Sequence, residues 1–126
     1  MGEAKPALLP EVLLVEDEAL ISLMIEDALN EAGFCVHSFS NGRDALAYLA
    51  AGGRADVLFT DIDSDVDGVE LTRRIRATRA GIAVVYASDR SDAENAIVGS
   101  TFLPKPFILA QACAAVERTV ARRRAA

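Results

Sequence analysis

Four places in this 126-residue sequence carry side chains suited to one kind of chemistry. Glu16 and Asp17 follow the apolar run EVLLV at 11–15, and Asp61 follows VLFT at 57–60, with Asp63, Asp65 and Asp67 at every second position after it. Ser88 follows IAVVYA at 82–87, and Lys105 sits in LPKPF at 103–107. Carboxylates gathered at the end of a buried strand repel each other, by roughly 4 kcal/mol for two unit charges about 4 Å apart at an effective dielectric of 20. A cation should relieve them. Carboxylate oxygens suit Mg²⁺, which takes one or two protein carboxylates and completes its shell with water and phosphate. With the metal and Lys105 offsetting the charge, Asp61 can act as a nucleophile and form an aspartyl phosphate, to which Ser88 can donate a hydrogen bond.

These residues meet only if every apolar run before them ends at one edge of one sheet. The run 11–15 reads as a fully buried strand. From Ala19 the period becomes helical, with Ile21, Ile25, Ala28, Leu29 and Ala32 on the inner face and Gly33 as the stop. A strand is expected at 34–39, a turn at Asn41-Gly42, and a helix at 44–51 resting on Ala45, Leu46, Tyr48 and Leu49, ended by Gly52-Gly53. The strand 57–60 leads to a helix at 69–79 that packs through Leu71, Thr72 and Ile75 and turns Arg73, Arg74 and Arg76 to water. After the strand 82–87, Asp92 is placed to cap a short helix ending at Gly99. A strand at 101–103 and a helix at 107–124, carrying Ile108, Ala112, Ala115, Val116 and Val120 inward, complete the pattern. Its arginines read as a solvated helix end offsetting the dipole. Strands alternating with helices over short connections form an open parallel α/β sheet, whose function sits beyond the carboxyl ends of the strands.

Composition narrows the function classes. The chain is 52% apolar with mean hydropathy +0.23, enough for one well-buried core and one domain. A net charge of −6 and a pI near 4.7 lack the basic footprint of direct nucleic-acid binding. Cys35 and Cys113 match no metal or redox spacing and suggest a reducing compartment. His37, in a strand without an evident second ligand, reads as structural. No run approaches the ~20 apolar residues that span a bilayer, and MGEAKPALLPE is no signal peptide, so a cytoplasmic protein without membrane contact is expected.

The motifs VLLVEDE, DVLFTDI and LPKPF, in this order and separation, resemble the receiver domain of two-component response regulators, over nearly the whole chain. The resemblance implies a flavodoxin-like (βα)5 three-layer sandwich with strand order 2-1-3-4-5. It implies Glu16 and Asp17 as the metal-binding pair, Asp61 as phosphoacceptor and metal ligand, and Asp63 as a ligand through its backbone carbonyl, its side chain facing solvent. Ser88 corresponds to the conserved hydroxyl, Phe102 to the switch aromatic, and Lys105 to the conserved lysine, with a cis Lys105–Pro106 bond. The implied donor is a sensor histidine kinase or histidine phosphotransfer protein. A downstream protein and a homodimer are further implied partners, and the role is a phosphoacceptor with at most slow autodephosphorylation. Residues 1–10 read as a flexible lead and 11–124 as the receiver, with no output domain.

Three features depart from the family pattern. Asp65 stands where a proline is usual, the loop before Asp67-Gly68 is one residue short, and Asp89 replaces the small residue that usually follows the hydroxyl. The short segment between Ser88 and Lys105 implies a stunted fourth helix. These features motivate an alternative, a binding module that keeps the fold and signals without phosphate. A calcium EF-hand fails because Val66 and Thr72 occupy the glycine and glutamate positions of the loop. A haloacid-dehalogenase-like aspartyl phosphatase, with Asp63 as acid–base, needs an acidic pair after the lysine, where only Glu117 is found.

Overall fold

The computed structural model describes residues 9–63 and 67–125. Five strands, β1 (Glu11–Val15), β2 (Cys35–Phe39), β3 (Val57–Asp61), β4 (Ala83–Ser88) and β5 (Thr101–Pro104), pair in parallel in the order β2-β1-β3-β4-β5. The helices are α1 (Ala19–Glu31), α2 (Gly42–Ala50), α3 (Gly68–Thr78) and α4 (Leu109–Ala125). The sheet is the flavodoxin-like one the motifs imply, and its carboxyl edge gathers Glu16, Asp61, Ser88 and Lys105.

Alternation along the strands divides the core into two layers, because successive side chains point to opposite faces. Val12 and Leu14 of β1, Val57 and Phe59 of β3, and Val85 of β4 pack against Ile25 and Leu29 of α1 and Ala112 and Val116 of α4. Leu13, Val15, Leu58, Val84 and Tyr86 face the other way, onto Ala45 and Leu49 of α2 and Leu71 and Ile75 of α3. With both faces covered, the central strands are continuous apolar runs. No helix among the described residues is long and apolar enough to cross a membrane.

Several local expectations are corrected. Ile21 is 39% exposed on α1, Ala32 is exposed just past the end of α1, and Ile108 is 66% exposed just before α4 begins, so the inner stripes are narrower and shorter than the periodicity suggests. The turn expected at Asn41-Gly42 is the start of α2: the Asn41 side chain accepts from Asp44 N at 2.8 Å and caps the helix, which begins two residues early at Gly42. Between β4 and β5 the fourth helix is stunted as expected, to a 3-10 turn at Ser91–Ala93, but it stops short of Gly99 and Asp92 makes no capping bond. The Tyr86 hydroxyl, buried beneath this segment, is shared between the carbonyls of Ala93 and Glu94, both at 2.6 Å. Those carbonyls are held down onto the sheet, and the few residues left do not extend the turn. The N-terminal lead at 1–8 and the loop centre at 64–66, with Asp65 and the expected one-residue shortening, lie outside the described residues.

Candidate functional site

β3 delivers Asp61 to the carboxyl edge with only 8% of its surface exposed. Lys105 Nζ donates to Asp61 Oδ2 at 2.7 Å, and Asp63 N donates to Asp61 Oδ1 at 2.8 Å. The lysine is aimed by its backbone: Lys105 N donates to Ser88 O at 2.8 Å, and the Lys105–Pro106 peptide is cis. Burial alone would lower the Lys105 pKa, but the hydrogen bond and charge of Asp61, with Asp63 behind it, raise it. The ammonium therefore stays charged against the Asp61 carboxylate.

Asp63 is placed differently from the expectation that its side chain faces solvent. The side chain is 16% exposed and turned into the site. Ser88 Oγ donates to its Oδ1 at 2.6 Å, Asp89 N donates to its Oδ2 at 2.7 Å, and Lys105 Nζ lies 3.4 Å from Oδ2. Arg90 Nε approaches Oδ1 at 3.6 Å. Burial would raise the Asp63 pKa, yet Ser88, the Asp89 N–H and Lys105 together hold it below the usual carboxylate range. An anion surrounded by donors is favoured over solvent, and this reverses the expected orientation.

Glu16 is 7% exposed, and its Oε2 accepts from Glu18 N at 3.0 Å. Burial, with added repulsion from Asp17 and Asp61, pushes its carboxyl up to about 7 despite that hydrogen bond. Asp17 beside it is exposed. A cavity of about 1050 Å³ opens here, with Glu16, Asp17, Asp61, Asp63, Asp89 and Lys105 in its wall. Ser88 is 1% exposed at the end of β4. Phe102, half-buried on β5, is the register partner of Tyr86, and the two rings stack at 5.3 Å and 37°.

Residues 12–117 match the family model of the response regulator receiver domain. This chain belongs to that family. The receiver is 34% identical over 115 residues to the DNA-binding transcriptional regulator NtrC of Salmonella typhimurium, covering 86% of this chain and 24% of that protein. It is 32% identical over 120 residues to the transcriptional regulatory protein PrrA of Mycobacterium bovis, covering 90% of this chain and 51% of the relative. The chain thus spans between a quarter and a half of these curated relatives. A response regulator receiver protein from Sinorhizobium medicae superposes with a TM-score of 0.80 at 33% identity, over 91% of this chain and 97% of that one.

Two groups of this receiver escaped the sequence reading. His37 has neighbours after all: its Nε2 lies 3.0 Å from Glu11 Oε1 and 3.8 Å from Cys35 Sγ. The register of β1 against β2 brings them together, and linear spacing does not reveal it. Arg123 is more than a solvated helix end, since Nη1 pairs with Asp56 Oδ1 at 2.9 Å and Nε donates to Gly81 O at 2.9 Å. The acidic residue beginning the third apolar run was the available signal for that clamp.

Proposed function

We propose that this receiver accepts a phosphoryl group on Asp61 from a phosphohistidine of a sensor histidine kinase or phosphotransfer protein. The observation that carries this reading is the Lys105 ammonium 2.7 Å from Asp61 Oδ2 at the carboxyl edge of β3, with Ser88 at the end of the adjacent β4. An Asp61 oxygen attacks phosphorus as the imidazole N–P bond breaks, and the ring nitrogen leaves with the bonding pair. The product is a mixed anhydride carrying more negative charge than the free carboxylate. Lys105 offsets that charge, and Ser88 can donate to a phosphoryl oxygen once it releases Asp63.

The donor set fits a hard cation, because Glu16, Asp17 and Asp61 are all oxygen ligands at one cavity. Mg²⁺ held by these carboxylates and the Asp63 carbonyl would neutralise charge on the transferred group. Burial first, and then the neighbouring Asp17 and Asp61, raise the Glu16 pKa, and a cation bound beside it would favour its charged form. Movement of Ser88 would couple to Phe102 through the β4–β5 edge and reshape the face formed by β5, the 3-10 segment and α4 for a downstream protein.

Labelling with acetyl phosphate in Mg²⁺ tests the assignment. Wild type should become phosphorylated, and Asp61→Asn should not. Labelling that survives Asp61→Asn would overturn the site, and sustained turnover of p-nitrophenyl phosphate would point to a phosphatase instead.

A second reading is favoured by the Asp63 network. Its carboxylate already takes the Ser88 and Lys105 donors, as a bound anion would, which suits a module that binds its partner without phosphate. Partner binding unchanged by Asp61→Asn would support that reading.

A further inference from the structure

At the opposite end of β1 from the acidic cavity, three ligand-type side chains converge at the sheet edge. Glu11 and Cys35 are register partners on adjacent parallel strands, and His37 lies two residues beyond Cys35 on the same face of β2. One donor atom from each, Glu11 Oε1, Cys35 Sγ and His37 Nε2, lies within 4.8 Å of the others. Two of the separations are 3.0 Å for Nε2 to Oε1 and 3.8 Å for Sγ to Nε2. A tetrahedral zinc ion with bonds of about 2.0 Å to nitrogen and oxygen and about 2.3 Å to sulfur sets its donors roughly 3.2–3.7 Å apart. The two His37 separations fall close to these values, and the third pair lies within 4.8 Å, so the triad is nearly set for a metal.

We propose that Glu11, Cys35 and His37 form a site for a thiophilic divalent cation, best matched by Zn²⁺. Thiolate, imidazole and carboxylate form a donor set that favours zinc over the hard ions suited to the acidic cavity. All three residues are half-buried, and β2 is an edge strand, so the site is reachable and leaves a fourth position for water. Two of the three ligands are braced from behind. Arg54 Nε holds the other Glu11 oxygen at 3.0 Å. The Tyr48 ring packs on His37 at 4.9 Å, and its hydroxyl is pinned between Arg54 N and O at 3.0 and 2.9 Å. Such outer partners orient ligands before the metal arrives.

Binding exchanges the His37–Glu11 contact for two metal bonds, releases the thiol proton of Cys35 and leaves the imidazole proton on Nδ1. The ion would cross-link β1 and β2 about 16 Å along β1 from Glu16. This inference is independent of phosphorylation at Asp61.

His37 is the chain's one histidine, which gives a direct readout on the untagged wild-type protein. On adding one equivalent of Zn²⁺, its ring proton resonances should shift or exchange to a bound set, whereas Mg²⁺ should leave them in place. With Co²⁺ a thiolate-to-cobalt charge-transfer band should appear and be displaced by Zn²⁺. That band should vanish in Cys35→Ser and persist in Cys113→Ser, and His37→Gln should weaken binding by at least tenfold. Ring resonances indifferent to zinc, or a cobalt band that survives Cys35→Ser, would overturn the proposal. Should a variant fail to fold, the wild-type titration still decides it.

Discussion

Asp63 holds the Ser88 hydroxyl at 2.6 Å, and the next residue's N–H closes on the second carboxylate oxygen at 2.7 Å. The side chain two residues after Asp61 thus occupies donors that, on the proposed function, an incoming phosphoryl oxygen would use, and adds its own negative charge. Asp63→Ala removes both obstacles while keeping the backbone carbonyl. A hydrogen bond to a charged group contributes about 1.5–3 kcal/mol, and about 1.4 kcal/mol is tenfold in rate. Labelling of Asp63→Ala by acetyl phosphate in Mg²⁺ is therefore expected to be about tenfold faster than wild type. An equal or slower rate would show that the network assists the reaction.

Thr60 precedes Asp61 on β3, fully buried, and its Oγ1 has no hydrogen-bond partner among the described residues. A buried hydroxyl without a partner costs about 1–3 kcal/mol relative to a satisfied one. Thr60→Val keeps the shape and removes the polar atom. Thermal unfolding should show a rise of a few degrees in Tm, corresponding to about 1 kcal/mol, with Asp61 labelling unchanged. A fall in Tm would mean the hydroxyl has a partner in solution, such as an ordered water.

The sheet and most of the acidic edge are legible in the sequence, because buried parallel strands are continuous apolar runs and their carboxyl ends must be polar. Asp61, Ser88 and Lys105 fall where that rule puts them. The direction of the Asp63 side chain is not legible, since it depends on Ser88 Oγ and Asp89 N–H, donors at and just past the end of β4, which pairs with β3 but is distant in the chain. The Glu11–Cys35–His37 group is hidden for the same reason: β1–β2 register creates it. Periodicity finds Ile25 and Leu29 on α1 yet cannot say that the stripe stops short of Ile21, because the width of the inner face is set by where the opposing strands end.

Gly68 opens α3 against Ile62, the residue that follows Asp61. A Cβ there would stand 2.6 Å from Ile62 Cγ2 and 3.1 Å from Ile62 Cα, so the helix start or the chain after Asp61 would have to move. Gly68→Ala is expected to destabilise the fold by about 1–3 kcal/mol, the usual range for overpacking, measured by urea denaturation with an unchanged m-value. The displaced Ile62 should also slow Asp61 labelling. A neutral or stabilising result would mean that the gain in helix propensity outweighs the clash.

Asp56 ties the amino ends of the central strands to α4. Its Oδ2 accepts from Glu11 N at 2.8 Å, and its Oδ1 pairs with Arg123 Nη1 at 2.9 Å. Burial alone would raise its pKa, but the Glu11 N–H and the Arg123 guanidinium outweigh it and hold the carboxyl below its ordinary value of 3.8. A carboxylate depressed on folding stabilises the native state at pH values above its unfolded pKa. That contribution is lost as pH falls through the lower, folded value, where the native carboxylate finally takes up its proton. Asp56→Asn should therefore destabilise the fold by about 1–2 kcal/mol at neutral pH, a figure kept modest because a third of the side chain is exposed (33%). The gap between wild type and variant should hold its full size down to about pH 5 and shrink steadily below pH 4, as followed by denaturant titrations across that range. If the gap stayed constant down to pH 2, the stabilisation would come from shape or neutral hydrogen bonding, and the Arg123 clamp would not depend on the charge of Asp56.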